Sequence, residues 1–185
     1  MNKQKLTGFV EKYSLGNTIE SVPWSIKSNT LTTEFVSEDR TLLGSVTLNS
    51  FAIDDAEIGI YNTTQLQKMI SVLGSDVTVN LKKADKRAIA IDMTDGDVSL
   101  NYMLADLDII PKAPKLKTLP DTTVVIEINN DFITKFVRAK NALSESDNFT
   151  VISNTITQII IGESDSNTNK ININVKTESS QAMSA

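Results

Sequence analysis

Residues 56–104 read AEIGIYNTTQLQKMISVLGSDVTVNLKKADKRAIAIDMTDGDVSLNYML, and the order of patterns in this stretch decides the fold. Glu57 to Tyr61 alternates, with Ile58 and Ile60 on one side and Glu57, Gly59 and Tyr61 on the other, the period of a strand. Asn62-Thr63-Thr64 supplies side-chain oxygens for the free N–H groups that open a helix. Leu66, Met69, Ile70 and Leu73 then recur at i, i+3, i+4, i+7, so a helix is predicted, with Gly74 as a left-handed stop. Val77–Leu81, Ala88–Ile91 and Val98–Tyr102 read as strands, the last two joined by Asp95-Gly96, a tight-hairpin signal. The unit is βαβββ. Its helix lays the apolar stripe on the sheet and turns Gln65, Gln67, Lys68 and Ser71 outward.

The pattern recurs on both sides. Residues 3–14 carry Leu6, Phe9, Val10 and Tyr13 at helical spacing, with Lys3, Lys5, Glu11 and Lys12 off the stripe and Gly16-Asn17 at the end. Strands follow at about 20–28, 30–36 and 42–48, and Pro23 places the first of them at an edge or makes it irregular. Downstream, Val124–Ile128 is a strand, and Asn130 or Asp131 caps a helix carrying Phe132, Ile133, Phe136, Val137 and Leu143. That helix turns Lys135, Arg138 and Lys140 to solvent, and Phe149–Ile152, Ile156–Ile161 and Lys170–Val175 follow as strands. The tail ESSQAMSA shows no element. The fold class is α+β, with βαβββ units at 1–48 (without a clear first strand), 56–104 and 123–176 and helices on one face of antiparallel sheets. Pro111, Pro114 and Pro120 break regular structure between them, giving a first domain at 1–108, a connector at 109–122 and a second domain at 123–185.

Composition narrows the chemistry. The 185 residues hold 40% hydrophobic side chains, enough for a core, but only 5% aromatic. Cysteine and histidine are absent, which removes disulfides, thiolates, the commonest general base and the commonest transition-metal ligand. Asp92, Asp95 and Asp97 cluster, but a hairpin turn explains them and a calcium loop needs more oxygen ligands at fixed spacing. Asp54-Asp55 and Asp106/Asp108 read as turn and connector acids, and no glycine-rich phosphate loop is present. No cofactor and no enzymatic activity are expected. The net charge of −5 argues against a protein that grips nucleic acid over a broad basic surface. No apolar run is long enough to span a bilayer and the first residues lack a secretory pattern, so a cytoplasmic protein without a membrane partner is expected.

Several runs resemble the DNA polymerase sliding clamps of T-even-type and cyanophage-like tailed phages. They are Ala56–Tyr61 with the Leu66/Met69/Leu73 helix, Leu104–Pro111, Phe136–Leu143 and Phe149–Ile152. The likeness covers about 50–175 in letters and 1–50 in pattern only. It implies the DNA clamp fold, two βαβββ units per domain, and a homotrimeric ring around duplex DNA with helices lining the hole. The second domain then holds only its first half, and a fourth unit of roughly 45 residues is expected after Ala185. The resemblance makes the chain a processivity factor for phage DNA replication in the cytoplasm of the infected bacterium. Its implied partners are DNA polymerase, the clamp loader and the host transcription machinery.

Topological tethering needs no tight contact. Weak attraction from inward cations suffices, screened over about 10 Å, which reconciles an acidic chain with a DNA partner. The DNA-facing candidates the resemblance implies are Lys3, Lys5, Lys12, Lys68, Lys135, Arg138 and Lys140; on their own they read first as solvated helix faces. The resemblance also implies a groove for partner peptides beside the connector, bordered by Leu42, Leu43, Ile109, Ile110, Leu116 and Leu119. Apart from it, these connector residues read as packed against the domains. Strands 97–103 and 169–175 sit where clamp subunits pair. The rival readings are a β-rich phage assembly module with no DNA role, and a carboxylate-dependent enzyme, for which no promising acid pair stands out.

Overall fold

The structure, a computed structural model, describes residues 1–85, 87–115, 124–162, 168–180, 183 and 184. The chain divides into two compact units, Met1–Leu116 and Lys117–Ala185. Both are α+β with antiparallel sheets. No helix among the described residues is long and apolar enough to cross a membrane.

In the first unit, helix α1 (Lys3–Ser14) is followed by strands β1 (Val22–Lys27), β2 (Thr30–Val36) and β3 (Leu43–Asn49). Then come β4 (Ala56–Ile60), α2 (Thr63–Ser71), β5 (Thr78–Ala84), β6 (Arg87–Thr94) and β7 (Ser99–Met103). Each helix starts on an asparagine: Asn2 Oδ1 accepts from Gln4 N at 2.8 Å and Asn62 Oδ1 from Gln65 N at 2.7 Å. The Glu20 carboxylate adds a bond from Thr64 N at 3.0 Å to the start of α2.

The strands form two sheets, ordered β3-β2-β1-β4 and β5-β6-β7. The two repeats exchange their leading segments. β4, which precedes α2, pairs with β1, the first strand after α1. Asn2, which precedes α1, bridges to Asp76, just ahead of β5, and the N-terminal ammonium donates to Val77 O at 2.5 Å. A further bridge, Gly59 to Ala105, joins the end of one sheet to the chain leaving the other. The helices touch each other and run antiparallel. The Thr63 and Tyr13 hydroxyls are 3.3 Å apart at one end, and Lys3 Nζ donates to Ser71 O at 3.3 Å at the other. Leu6, Val10, Leu66, Ile70, Ile58, Ile60 and Ile91 fall in one buried cluster, with Phe9, Tyr13, Trp24 and Phe51 meeting edge to face at its centre.

Two local expectations are corrected in this unit. Of the two outcomes expected of Pro23, β1 is not at an edge, since it runs between β2 and β4, but its pairing is irregular beside the proline. Pairing with β2 begins only at Ser25, so the N–H that proline lacks is not needed by β2. Gly74 is not a left-handed stop. α2 ends at Ser71 with Val72 in a right-handed conformation, and Gly74 N donates to Asp95 Oδ2 at 2.5 Å. A Cβ on Gly74 would stand 3.2 Å from that oxygen, so the glycine permits this approach.

The second unit holds β8 (Val124–Ile126), α3 (Asn130–Ala142), β9 (Phe149–Ser153), β10 (Thr157–Ile161), β11 (Ile171–Val175), β12 (Thr177–Ser180) and β13 (Met183–Ser184). α3 is capped by Asn129 rather than Asn130 or Asp131, with Asn129 Oδ1 accepting from Phe132 N at 3.0 Å. Its strands order as β11-β10-β9-β13 and β12-β8. The tail is therefore not featureless: β12 pairs with β8 and β13 with β9. Those open strand edges recruit a segment whose own letters carry no strand period. Ala139, Ile161 and Ile173 are buried, with Phe132, Phe136 and Leu143 packed against them.

Candidate nucleic-acid interface and peptide groove

The helix faces divide the basic residues into two kinds. Lys5 and Lys12 are seven residues apart on α1, about 20° from the same line along the helix. Both are exposed, make no hydrogen bond or ion pair among the described residues, and border a cleft of about 400 Å³ against Val46–Ser50. Lys68 lies exposed on α2, on the side away from Leu66 and Ile70. On α3, Lys135 and Arg138 are exposed and border a cleft of about 560 Å³ against Ile171–Asn174 of β11. On α1 and α3 the basic pair sits beside the third strand after its helix.

The other cations are engaged within the chain. Lys3 Nζ donates to the Ser71 and Leu73 carbonyls, which have lost their helical partners at the end of α2. Lys140 Nζ does the same for Ser144 O, at 3.1 Å, and Ser146 O beyond α3. Both expectations of a DNA-facing ammonium therefore meet a competing local use. Lys135 Nζ pairs with Asp131 Oδ2 at 2.6 Å, one helical turn away, and both side chains stay exposed. Such a surface pair is worth about 0–1 kcal/mol, so it leaves Lys135 open to another anion.

The second site is a groove of about 420 Å³ lined by Glu34, Leu43, Gly44, Ser45, Ala113, Pro114 and Lys115. It joins β3 to the connector. The preceding loop is built on Asp39, whose Oδ1 accepts from Ser37 Oγ at 2.5 Å and Thr41 N at 3.1 Å. These bonds hold the Asp39 carboxyl below the usual carboxylate range. Leu42 N closes the loop on Ser37 Oγ at 3.0 Å, presenting Leu42 and Leu43 with 39% and 36% of their surface exposed. Gly44 lets the groove floor form, because a Cβ there would stand 2.4 Å from Phe35 Cζ.

Of the expected groove residues, Leu43 lines the groove, while Leu42 and Ile109 are exposed outside its lining. Ile110 is corrected: it is 4% exposed and packs against Gly59 of β4. Leu116 and Leu119 lie outside the described residues. Sequence reading missed Glu34, Ala113, Pro114 and Lys115. The Ala113-Pro114 step was the available signal, since proline holds a connector extended against a neighbouring strand.

Three of the loop and strand carboxylates, Asp92, Asp95 and Asp106, have structural employment. Asp95 accepts from Val98 N, Gly74 N and Asp97 N, which lowers its pKa, and Asp92 accepts from Asn101. Asp106 is lowered by Asp108 N and by Arg87, its ion-pair partner at 2.5 Å. Among the described residues no three His, Cys, Asp or Glu side chains gather where they would hold a metal ion. These surfaces present paired cations beside strands and a shallow groove between β3 and the connector. No protein-family model matches the chain, and no curated protein matches its sequence.

Proposed function

We propose that this chain is a phage sliding clamp, a non-enzymatic ring that encircles duplex DNA and tethers the replicative polymerase. The observation that supports the reading most is the first unit itself. An αβββ repeat led by the Asn2 bridge and a βαβββ repeat exchange leading segments and set α1 and α2 antiparallel on one core, with Lys5, Lys12 and Lys68 unpaired on those helices among the described residues. A chain with 23 acidic and 18 basic residues holds DNA through enclosure, and a few cations suffice to centre the duplex. In this reading copies of the chain close into a ring, three by the resemblance, in the cytoplasm of an infected bacterium. The groove at Leu43, Pro114 and Lys115 receives the peptide tails of the polymerase, the clamp loader and transcription factors.

Primer extension on singly primed circular DNA tests this with the polymerase and loader of the same phage. Adding the protein is expected to lengthen products at least several-fold without changing the number of primers used. Unchanged product length with an active loader contradicts the proposal.

A further inference from the structure

Of the seven glycines in the chain, Gly96 alone follows an aspartate or an asparagine. The Asp95-Gly96 step carries chemistry of its own, because the main-chain nitrogen after an aspartate stands within reach of its carboxyl carbon. Glycine adds no side chain to block that approach. Gly96 turns the β6–β7 hairpin with φ at +103°, is exposed, and would meet nothing within 4 Å if it carried a Cβ. The reaction needs no partner but water. Gly96 N bonds to Asp95 Cγ, the Cγ–OH bond breaks, and water leaves with the amide proton, closing a cyclic imide. Water then opens the ring at the Asp95 main-chain carbonyl. The chain now runs through the side-chain carbon, and the freed carboxylate sits on Cα. Atoms balance and no electrons are exchanged.

The fold holds each group that this step must move. Asp95 Oδ1 accepts from Asp97 N at 3.0 Å and Val98 N at 2.7 Å, and Oδ2 accepts from Gly74 N at 2.5 Å. The attacking nitrogen is engaged as well, since Gly96 N donates to Thr94 Oγ1 at 3.1 Å. The N–H groups of Val98, Gly74 and Asp97 also favour the ionised carboxylate, which resists nucleophilic attack better than the acid. These restraints differ in origin. The bonds with Thr94, Asp97 and Val98 lie within the hairpin and form with it. The bond from Gly74 comes from another element, just beyond the end of α2 at Ser71. That end is pinned from far along the chain: Lys3 N donates to Ser75 O at 2.8 Å, and Lys3 Nζ donates to Ser71 O at 3.3 Å. We propose that Asp95-Gly96 is a site of spontaneous isoaspartate formation gated by the Gly74 contact, slow while the end of α2 is docked on the hairpin and fast once it lifts. The product keeps the gate open. Isoaspartate lengthens the main chain by one atom and moves the carboxylate off the side chain, so Gly74, Asp97 and Val98 lose their acceptor.

The inference is independent of the clamp reading. Incubation of the full chain at neutral pH in heavy-oxygen water, followed by peptide mass mapping, counts the event, because each ring opening leaves one heavy oxygen on the peptide that holds Asp95. Labelling is expected to be at least tenfold faster in full denaturant than in the folded chain. Gly96→Ala in denaturant is expected to slow it several-fold. In urea below the unfolding transition, labelling is expected to rise before the far-ultraviolet circular dichroism changes, since only the end of α2 has to lift. Gly74→Ala, whose Cβ would stand 3.2 Å from Asp95 Oδ2, is expected to speed labelling of the folded chain several-fold with its circular dichroism retained. Lys3→Ala, which loosens the same end without touching the hairpin, is expected to do likewise. Absence of label at Asp95 in denaturant, equal rates in folded and unfolded chains, or a rate that rises only with global unfolding and ignores both substitutions would overturn the proposal.

Discussion

Tyr13 shows how one side chain ties the first unit together. Its ring meets Phe9 and Trp24 edge to face, and its hydroxyl lies 3.3 Å from that of Thr63 on the second helix. Burial pushes its phenol well above the ordinary value, against smaller lowering effects of its hydrogen bonds. The folded state therefore keeps a proton that the unfolded chain releases near pH 10, and stability falls as pH rises beyond that point. Tyr13→Phe is expected to cost about 1 kcal/mol at neutral pH and to flatten the alkaline limb of stability, measured by urea unfolding from pH 8 to 11. At acid pH the sign reverses. Asp95 has a lowered pKa because it accepts backbone N–H bonds from Val98, Gly74 and Asp97, so its contribution is present above about pH 4 and lost below it. Asp95→Asn is expected to reduce the loss of stability between pH 5 and 2 relative to the parent, read from the same unfolding curves.

At the scale of elements, the connector is anchored by a missing side chain. Ala105 N donates to Gly59 O at 3.0 Å, and a Cβ on Gly59 would stand 2.7 Å from Ala105 O and 2.9 Å from Ile110 Cγ1. Gly59→Ala is expected to cost about 1–3 kcal/mol and to speed proteolysis within 105–110, as the connector lifts from β4. Unchanged stability and proteolysis would mean that this docking is slack. The same neighbourhood marks what could be read in advance. The helices were legible because periodicity is local: Leu66, Met69 and Ile70 announce α2 from their spacing, although Leu73, on the same period, falls beyond its end at Ser71. Which of Ile109 and Ile110 is buried was not, because Gly59, some fifty residues away, decides it. β12 and β13 were illegible for a related reason, since they exist through the edges of β8 and β9. Among the cations, charge and helix position were visible, but the carbonyls that engage Lys3 and Lys140 are tertiary or beyond the helix end.

At the scale of the whole molecule, the clamp account makes function a matter of topology, with side chains tuning it. Affinity for DNA should be weak and salt-sensitive when the chain binds an open end, and persistent when it encloses a duplex. The most direct measurement is the lifetime of labelled protein on nicked circular DNA after loading, followed by cutting of the same DNA at a single site. The account predicts retention on the circle through a wash in salt that abolishes ordinary electrostatic binding, and loss on linearisation as the ring slides off. Equal retention on circle and line, or none on either with an active loader present, would contradict it.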